Sequence, residues 1–114
     1  MTESNNKLPS FVSGPGNRKL SEGYDDKSKP IATYEAKSNI PNDDRVFWKL
    51  ITGRTEKTNK GGTFRVVEDS VNPRKVGIYV AKSLDYERVS EYMLTLQVWS
   101  LTMFLFNYLL FLGK

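Results

Sequence analysis

The residues able to do chemistry in this chain are few, and two types are missing outright. There is no cysteine and no histidine among the 114 residues. Disulfides, thiolate metal sites, cysteine nucleophiles and the Ser-His-Asp arrangement are thereby excluded, as are most transition-metal sites. Most familiar enzyme chemistries stop there, and no catalytic residue is assigned. What remains is carboxylates. Asp85 and Glu87, in Leu84-Asp85-Tyr86-Glu87, stand two positions apart. In extended backbone residues i and i+2 point the same way, so the two can converge on one hard cation. Calcium takes about six to eight oxygens, so other segments must contribute the rest. On spacing alone the same corner reads first as an acidic surface loop. Asp43-Asp44 and Glu68-Asp69 lie in or beside turns, without a histidine or an apolar pocket to split their pKa values for acid–base work.

Other motifs carry less. Asn59-Lys60-Gly61-Gly62 lacks the spacing of a phosphate loop and is followed by no helical pattern, so it reads as a hairpin turn. The net charge is +4, from 17 basic and 13 acidic residues. The basic residues are spread along the chain, and the densest stretch, Arg54 to Arg65, includes Glu56 and offers no platform for stacking bases. Nucleic acid is therefore not an expected partner. Phe47 and Trp48 are neighbours in an alternating segment and must face opposite sides, which places Trp48 in the core and Phe47 on a surface.

The elements that position these residues are strands. Ala32, Tyr34 and Ala36 alternate with polar neighbours, as do Val46, Trp48 and Leu50, then Phe64 and Val66, then Ile78 and Val80. The longest run is Tyr92, Leu94, Leu96 and Val98. A period of two, punctuated by Asn42-Asp43-Asp44, Asn59-Lys60-Gly61-Gly62 and Asn72-Pro73, is the mark of antiparallel sheets with one buried face. Strands recurring without helical segments between them predict an all-β, Greek-key sandwich. Residues 1 to about 30 hold many breakers, with short extended pieces only around Ser10-Phe11-Val12 and Lys19-Leu20-Ser21. No secretory signal pattern is read at the start.

The last segment differs. Trp99 to Gly113 carries no charge and no alternation of polarity, and the uncharged stretch begins at Met93. Residues 93–113 come close to the length of a membrane span. Three readings stand: a single-span membrane anchor, a strand buried in the sandwich, and a tail foreign to the domain. Lack of alternation suits a strand covered on both faces.

Between Phe64 and Val98 the order of features is similar to the second half of a cadherin extracellular repeat. The matching elements are Phe64 with Val66, then Gly77-Ile78-Tyr79-Val80, Leu84-Asp85-Tyr86-Glu87, and Tyr92-Met93-Leu94-Thr95-Leu96-Gln97-Val98. Upstream, Leu8-Pro9-Ser10-Phe11, Ser21-Glu22, Ile31 to Ala36 and Trp48-Lys49-Leu50 with Gly53 continue the likeness more weakly. The resemblance implies an immunoglobulin-like Greek-key sandwich of the cadherin type. Its parts would be a linker-like segment at 1–18, the repeat at 19–98 and an apolar tail at 99–114 that replaces the last strand. It implies a calcium-dependent, non-catalytic adhesion module at the cell surface. The partners would be other cadherin repeats, homophilic or heterophilic, with the membrane reached through a parent protein or the tail. It implies calcium as the cofactor, with Glu22, Asp85 and Glu87 as metal ligands in a partial, weak site. A second calcium cluster is not expected. Lys7 stands in the linker where an oxygen ligand belongs, and Ala36-Lys37-Ser38-Asn39-Ile40 lacks the two aspartates of the family. With the family's last strand missing, a non-functional truncated fragment is a further alternative.

Overall fold

In the computed structural model, which describes residues 12–36, 45–101 and 105–114, the period-two segments are strands. Among the described residues there are eight: β1 Val12–Ser13, β2 Asn17–Lys19, β3 Ala32–Ala36, β4 Val46–Leu50, β5 Phe64–Glu68, β6 Lys75–Val80, β7 Tyr92–Ser100 and β8 Phe106–Gly113. They form two four-stranded sheets, ordered β1-β3-β6-β5 and β2-β8-β7-β4. All pairings are antiparallel except β2 with β8, which is parallel. Strands β1 and β2 are close in sequence and sit in opposite sheets, so the chain changes sheet at Gly14-Pro15-Gly16. That crossing is clamped from within. The hydroxyl of Tyr34 donates to the Pro15 carbonyl at 2.7 Å, and that of Tyr108 to the Gly14 carbonyl at 2.6 Å. The two rings meet edge to face at 5.2 Å. A Cβ on Gly14 would collide with the Tyr34 ring, which is why the crossing holds a glycine.

The core lies between the sheets and is built from the alternating positions. Ala32, Tyr34, Ala36, Val46, Trp48, Leu50, Phe64, Ile78, Val80, Tyr92, Leu94, Leu96 and Val98 are all buried. Trp48 is inside, with its indole N–H donating to the Pro73 carbonyl at 3.0 Å. Phe47 is on the outer face, stacked on Trp99 at 5.7 Å with the Arg45 guanidinium 5.2 Å above it. Burying an aromatic body while pairing its one polar atom costs no unmet donor.

Three expectations are changed. The sheets run past both ends of the 19–98 span, since β1 precedes it, β2 begins before it and β8 follows it. Residues 93–113 lie mostly in β7 and β8, and among the described residues no helix is long and apolar enough to cross a membrane. The tail occupies the strand position beside β7, over a seven-residue register from Tyr92 opposite Leu112 to Val98 opposite Phe106. Nor is β8 covered on both faces. Leu110 and Leu112 are buried, whereas Asn107, Leu109 and Phe111 are exposed. Its side chains do alternate. The hydropathy does not, because the outward positions are apolar too. The third change concerns Asn59-Lys60-Gly61-Gly62, which is no hairpin. It closes the connection from β4 to β5, strands of opposite sheets. A short 3₁₀ turn, Glu56–Thr58, ends at Asn59 with φ 75°, and the buried Asn59 amide exchanges two hydrogen bonds with the Phe64 backbone at 2.9 and 3.1 Å. Asparagine tolerates the left-handed region, and its amide supplies both a donor and an acceptor where the loop has no sheet partner.

Candidate functional site

The acidic corner lies between β6 and β7 and is pinned from two directions. Leu84 and Tyr86 point inward and are buried, while Asp85 and Glu87 are exposed. The Tyr86 hydroxyl donates to the Leu20 carbonyl at 3.0 Å, and its ring lies 6.3 Å from that of Tyr92. Burial first, then the neighbouring Tyr92 and Glu22, pushes the Tyr86 phenol above its ordinary value. The backbone of the corner is tied to the loop after β2. Gly23 N–H donates to the Leu84 carbonyl at 3.0 Å, and Leu84 N–H to the Tyr24 carbonyl at 3.1 Å.

That tie delivers Glu22. Its carboxylate accepts the Tyr86 backbone N–H at 3.2 Å, across 64 residues of sequence. Glu22 is therefore held against the peptide between Asp85 and Glu87. The corner is extended only as far as Asp85 and then turns. Asp85 Oδ1 accepts the Glu87 N–H at 3.1 Å, and the Asp85 carbonyl accepts from Arg88 and Val89 at 3.2 and 3.0 Å. One oxygen of Asp85 is thus committed to its own turn, an Asx arrangement. Among the described residues no group of three acidic side chains is assembled closely enough to hold a metal ion. Glu22, Asp85 and Glu87 share one end of the sandwich without forming a closed cage.

Cations stand nearby. The Lys114 ammonium lies 5.8 Å from the centre of the Tyr86 ring, and Arg88 pairs with Glu56 at 2.6 Å. Sequence reasoning did not foresee Lys114, because its position depends on β8 running back to this end. As hard, exposed carboxylate oxygens, the three acids suit calcium in kind and fall short of it in number. Glu3 to Pro9 and residues 37–40, on which the absence of a second cluster was argued, lie outside the described residues.

An all-β sandwich of two four-stranded sheets, with an inter-sheet crossing between its first two strands and an acidic corner before its seventh, is the fold that the sequence resemblance implies. Comparison with known proteins agrees. Over 69 residues the chain is 36% identical to Neural-cadherin of Drosophila melanogaster, a match covering 60% of this chain and 2% of that protein. The crystal structure of the human Desmocollin-1 ectodomain superposes with a TM-score of 0.65 at 18% identity, over 85% of this chain and 19% of that one. The chain thus spans a small fraction of either protein. No family model matches it.

Proposed function

We propose that this chain is a calcium-dependent, non-catalytic adhesion module acting at the cell surface as one repeat of a longer array. The observation that carries the reading is the 3.2 Å hydrogen bond that holds the Glu22 carboxylate to the Tyr86 backbone, between Asp85 and Glu87. It holds a third carboxylate beside Asp85 and Glu87 at one end of the sandwich, where a bound cation would offset the mutual repulsion that Lys114 and Arg88 relieve only in part. Bound calcium would supply that charge and would join this end to oxygens from an adjoining segment. The chain's own residues do the positioning. Leu84 and Tyr86 anchor the corner in the core, the Gly23–Leu84 bond fixes the Glu22 loop to it, and the Asx turn aims Glu87 outward. The module would then engage other cadherin repeats, homophilic or heterophilic, through a string of such units.

Calcium titration by calorimetry on the full chain tests this. An isolated repeat offering three carboxylates should bind at about 1 mM or weaker, in the range of extracellular calcium modules. Asp85→Ala should abolish the heat while leaving the circular dichroism unchanged. Heat indifferent to Asp85→Ala would overturn the ligand assignment.

A further inference from the structure

The edge of β8 is unusual among the free edges of the two sheets. Among the described residues β4 pairs only with β7, and β5 only with β6, so each shows an open side. Both carry charge there or beside it: Lys49 with Arg45 on β4, and Arg65 with Glu68 on β5. Charges on an open edge are what keeps strands from adding to it. Strand β8 has none, since Trp99 to Gly113 is uncharged, and it holds no proline or bulge.

Among the described residues its edge is only half covered. Strand β2 reaches from Asn17 opposite Phe111 to Lys19 opposite Gly113, and the Gly16 carbonyl takes the Phe111 N–H at 3.0 Å. Beyond that point the chain leaves for the other sheet. The direction of the remaining backbone groups follows from the ladder. Thr95, opposite Leu109, gives its carbonyl to Ile51 N–H on the β4 side at 2.9 Å. Leu109 therefore points its own N–H and C=O away from β7, and so does Asn107 two residues on. Among the described residues neither has a backbone partner on that side. The outward side chains there are Leu109 at 45% exposure and, just before the strand, Leu105 at 53%; Phe111 beyond is 49% exposed.

We infer that this edge is a two-fold pairing surface for a second copy of the chain, β8 against β8 and antiparallel. The window is limited at Phe111 by Gly16 and begins at Leu105, so its centre is Asn107. An antiparallel pairing about Asn107 sets Leu105 opposite the partner's Leu109, and Leu109 opposite the partner's Leu105. The two Asn107 side chains meet at the axis, where an amide both donates and accepts. A two-fold interface brings each residue near its own copy, which penalises any charged segment in a molecule of net charge +4. The uncharged 105–109 segment escapes that penalty, and a charged or proline-blocked partner strand would have no such symmetry. Among the described residues each copy has one such edge, so the pairing closes as a dimer and does not grow into a fibre. It extends one sheet to eight strands and joins the apolar outer faces of the two copies. The surface is independent of the calcium reading, because it lies along the sheet and uses none of the three carboxylates.

Sedimentation equilibrium of the full chain, with calcium chelated, tests it. A five-residue edge buries less than a standard interface of about 1,600 Å², so a dissociation constant in the range of tens to hundreds of micromolar is expected. The mass should rise with concentration from 13.1 kDa toward twice that value. Asn107→Lys, which sets two ammonium groups face to face at the axis, should hold the chain as a monomer with unchanged circular dichroism. Mixing Asn107→Lys with Asn107→Asp should restore the dimer. A wild-type chain that stays monomeric throughout overturns the proposal. So does a dimer indifferent to Asn107→Lys, or a mixture that fails to recover it. A monomer that instead sediments with phosphatidylcholine vesicles would overturn it in favour of a lipid-facing role for the same face.

Discussion

The two sheets solve the same inward problem and differ outward. Each presents alternate residues to one core: Tyr34, Ile78 and Val80 from β1-β3-β6-β5, and Leu94, Leu96, Leu110 and Leu112 from β2-β8-β7-β4. Outside, the first sheet carries Thr33, Glu35, Arg65 and Lys75, while the second carries Phe47, Trp99, Leu109 and Phe111. The inner faces are dictated by the hydrophobic effect and must agree. The outer faces are free to differ, and an apolar outer face is the kind that meets a partner.

The largest expected effect tests whether the second sheet's last strand is as much a part of the core as the first sheet's centre. Ile78→Ala and Leu110→Ala should each cost about 2–5 kcal/mol, read as a fall in the urea midpoint, because both side chains are almost wholly buried. A tail merely appended to the domain would leave Leu110→Ala silent and would break the equivalence. Next is the crossing that joins the sheets. Gly14→Ala should cost about 1–3 kcal/mol, since the added carbon meets the Tyr34 ring and the Thr33 carbonyl. Pairing it with Tyr34→Ala, which empties that space, should give a combined loss smaller than the sum of the two.

The difference between the outer faces also decides what the sequence discloses. In the first sheet polar residues fill the outward positions, so Ala32-Thr33-Tyr34-Glu35-Ala36 reads as a strand with its core face marked. In β8 the sequence Phe106-Asn107-Tyr108-Leu109-Leu110-Phe111-Leu112 puts apolar groups on both sides. Periodicity then vanishes, although the side chains still alternate between core and solvent. The register with β7 and the parallel docking of β2 come from pairing at long sequence separation, to which local pattern is blind. The candidate site divides similarly. Asp85 and Glu87 stand out by spacing, and Glu22 was placed beside them by likeness to a family pattern. The Asx turn that commits Asp85 Oδ1, and Lys114 over Tyr86, depend on backbone turns and on where β8 returns. Asn59 gave a turn signal without saying that its amide would be buried against Phe64.

Alkaline pH sharpens the comparison from the tyrosines shared by the two sheets. Burial raises the phenols of Tyr34, Tyr86 and Tyr92 above their ordinary value of 10.0, with Tyr108 adding to the effect at Tyr34. A group whose pKa is raised by folding binds its proton more tightly in the native state. Its contribution is complete below the unfolded pKa, near 10, and is lost as pH rises above that. The urea midpoint should therefore be level from pH 8 to about 9.5 and fall above about pH 10. Tyr34→Phe should make the fall shallower, since it removes the proton in question, though it also gives up the bond to the Pro15 carbonyl. A midpoint that rises through this range would contradict the burial of these hydroxyls.

The smallest effect expected concerns a charged contact that links the flanks of the two sheets, Arg45 just before β4 with Glu68 at the end of β5. Its guanidinium and carboxylate are 3.5 Å apart, and the Arg45 side chain is half exposed. Such a pair trades a weak attraction in high dielectric against the ordering of two long side chains. A double-mutant cycle with Arg45→Ala and Glu68→Ala should give a coupling of about 0.2–1 kcal/mol, and 1 M salt should reduce it, the screening length there being about 3 Å. The single Arg45→Ala change should cost somewhat more than the coupling, because it also uncovers the Phe47 ring beneath the guanidinium. A coupling as large as the core substitutions would mean that the sheets are joined by their rims. The sandwich instead requires the rim to be the weaker partner, since Leu110 and Ile78 leave water entirely and Arg45 does not.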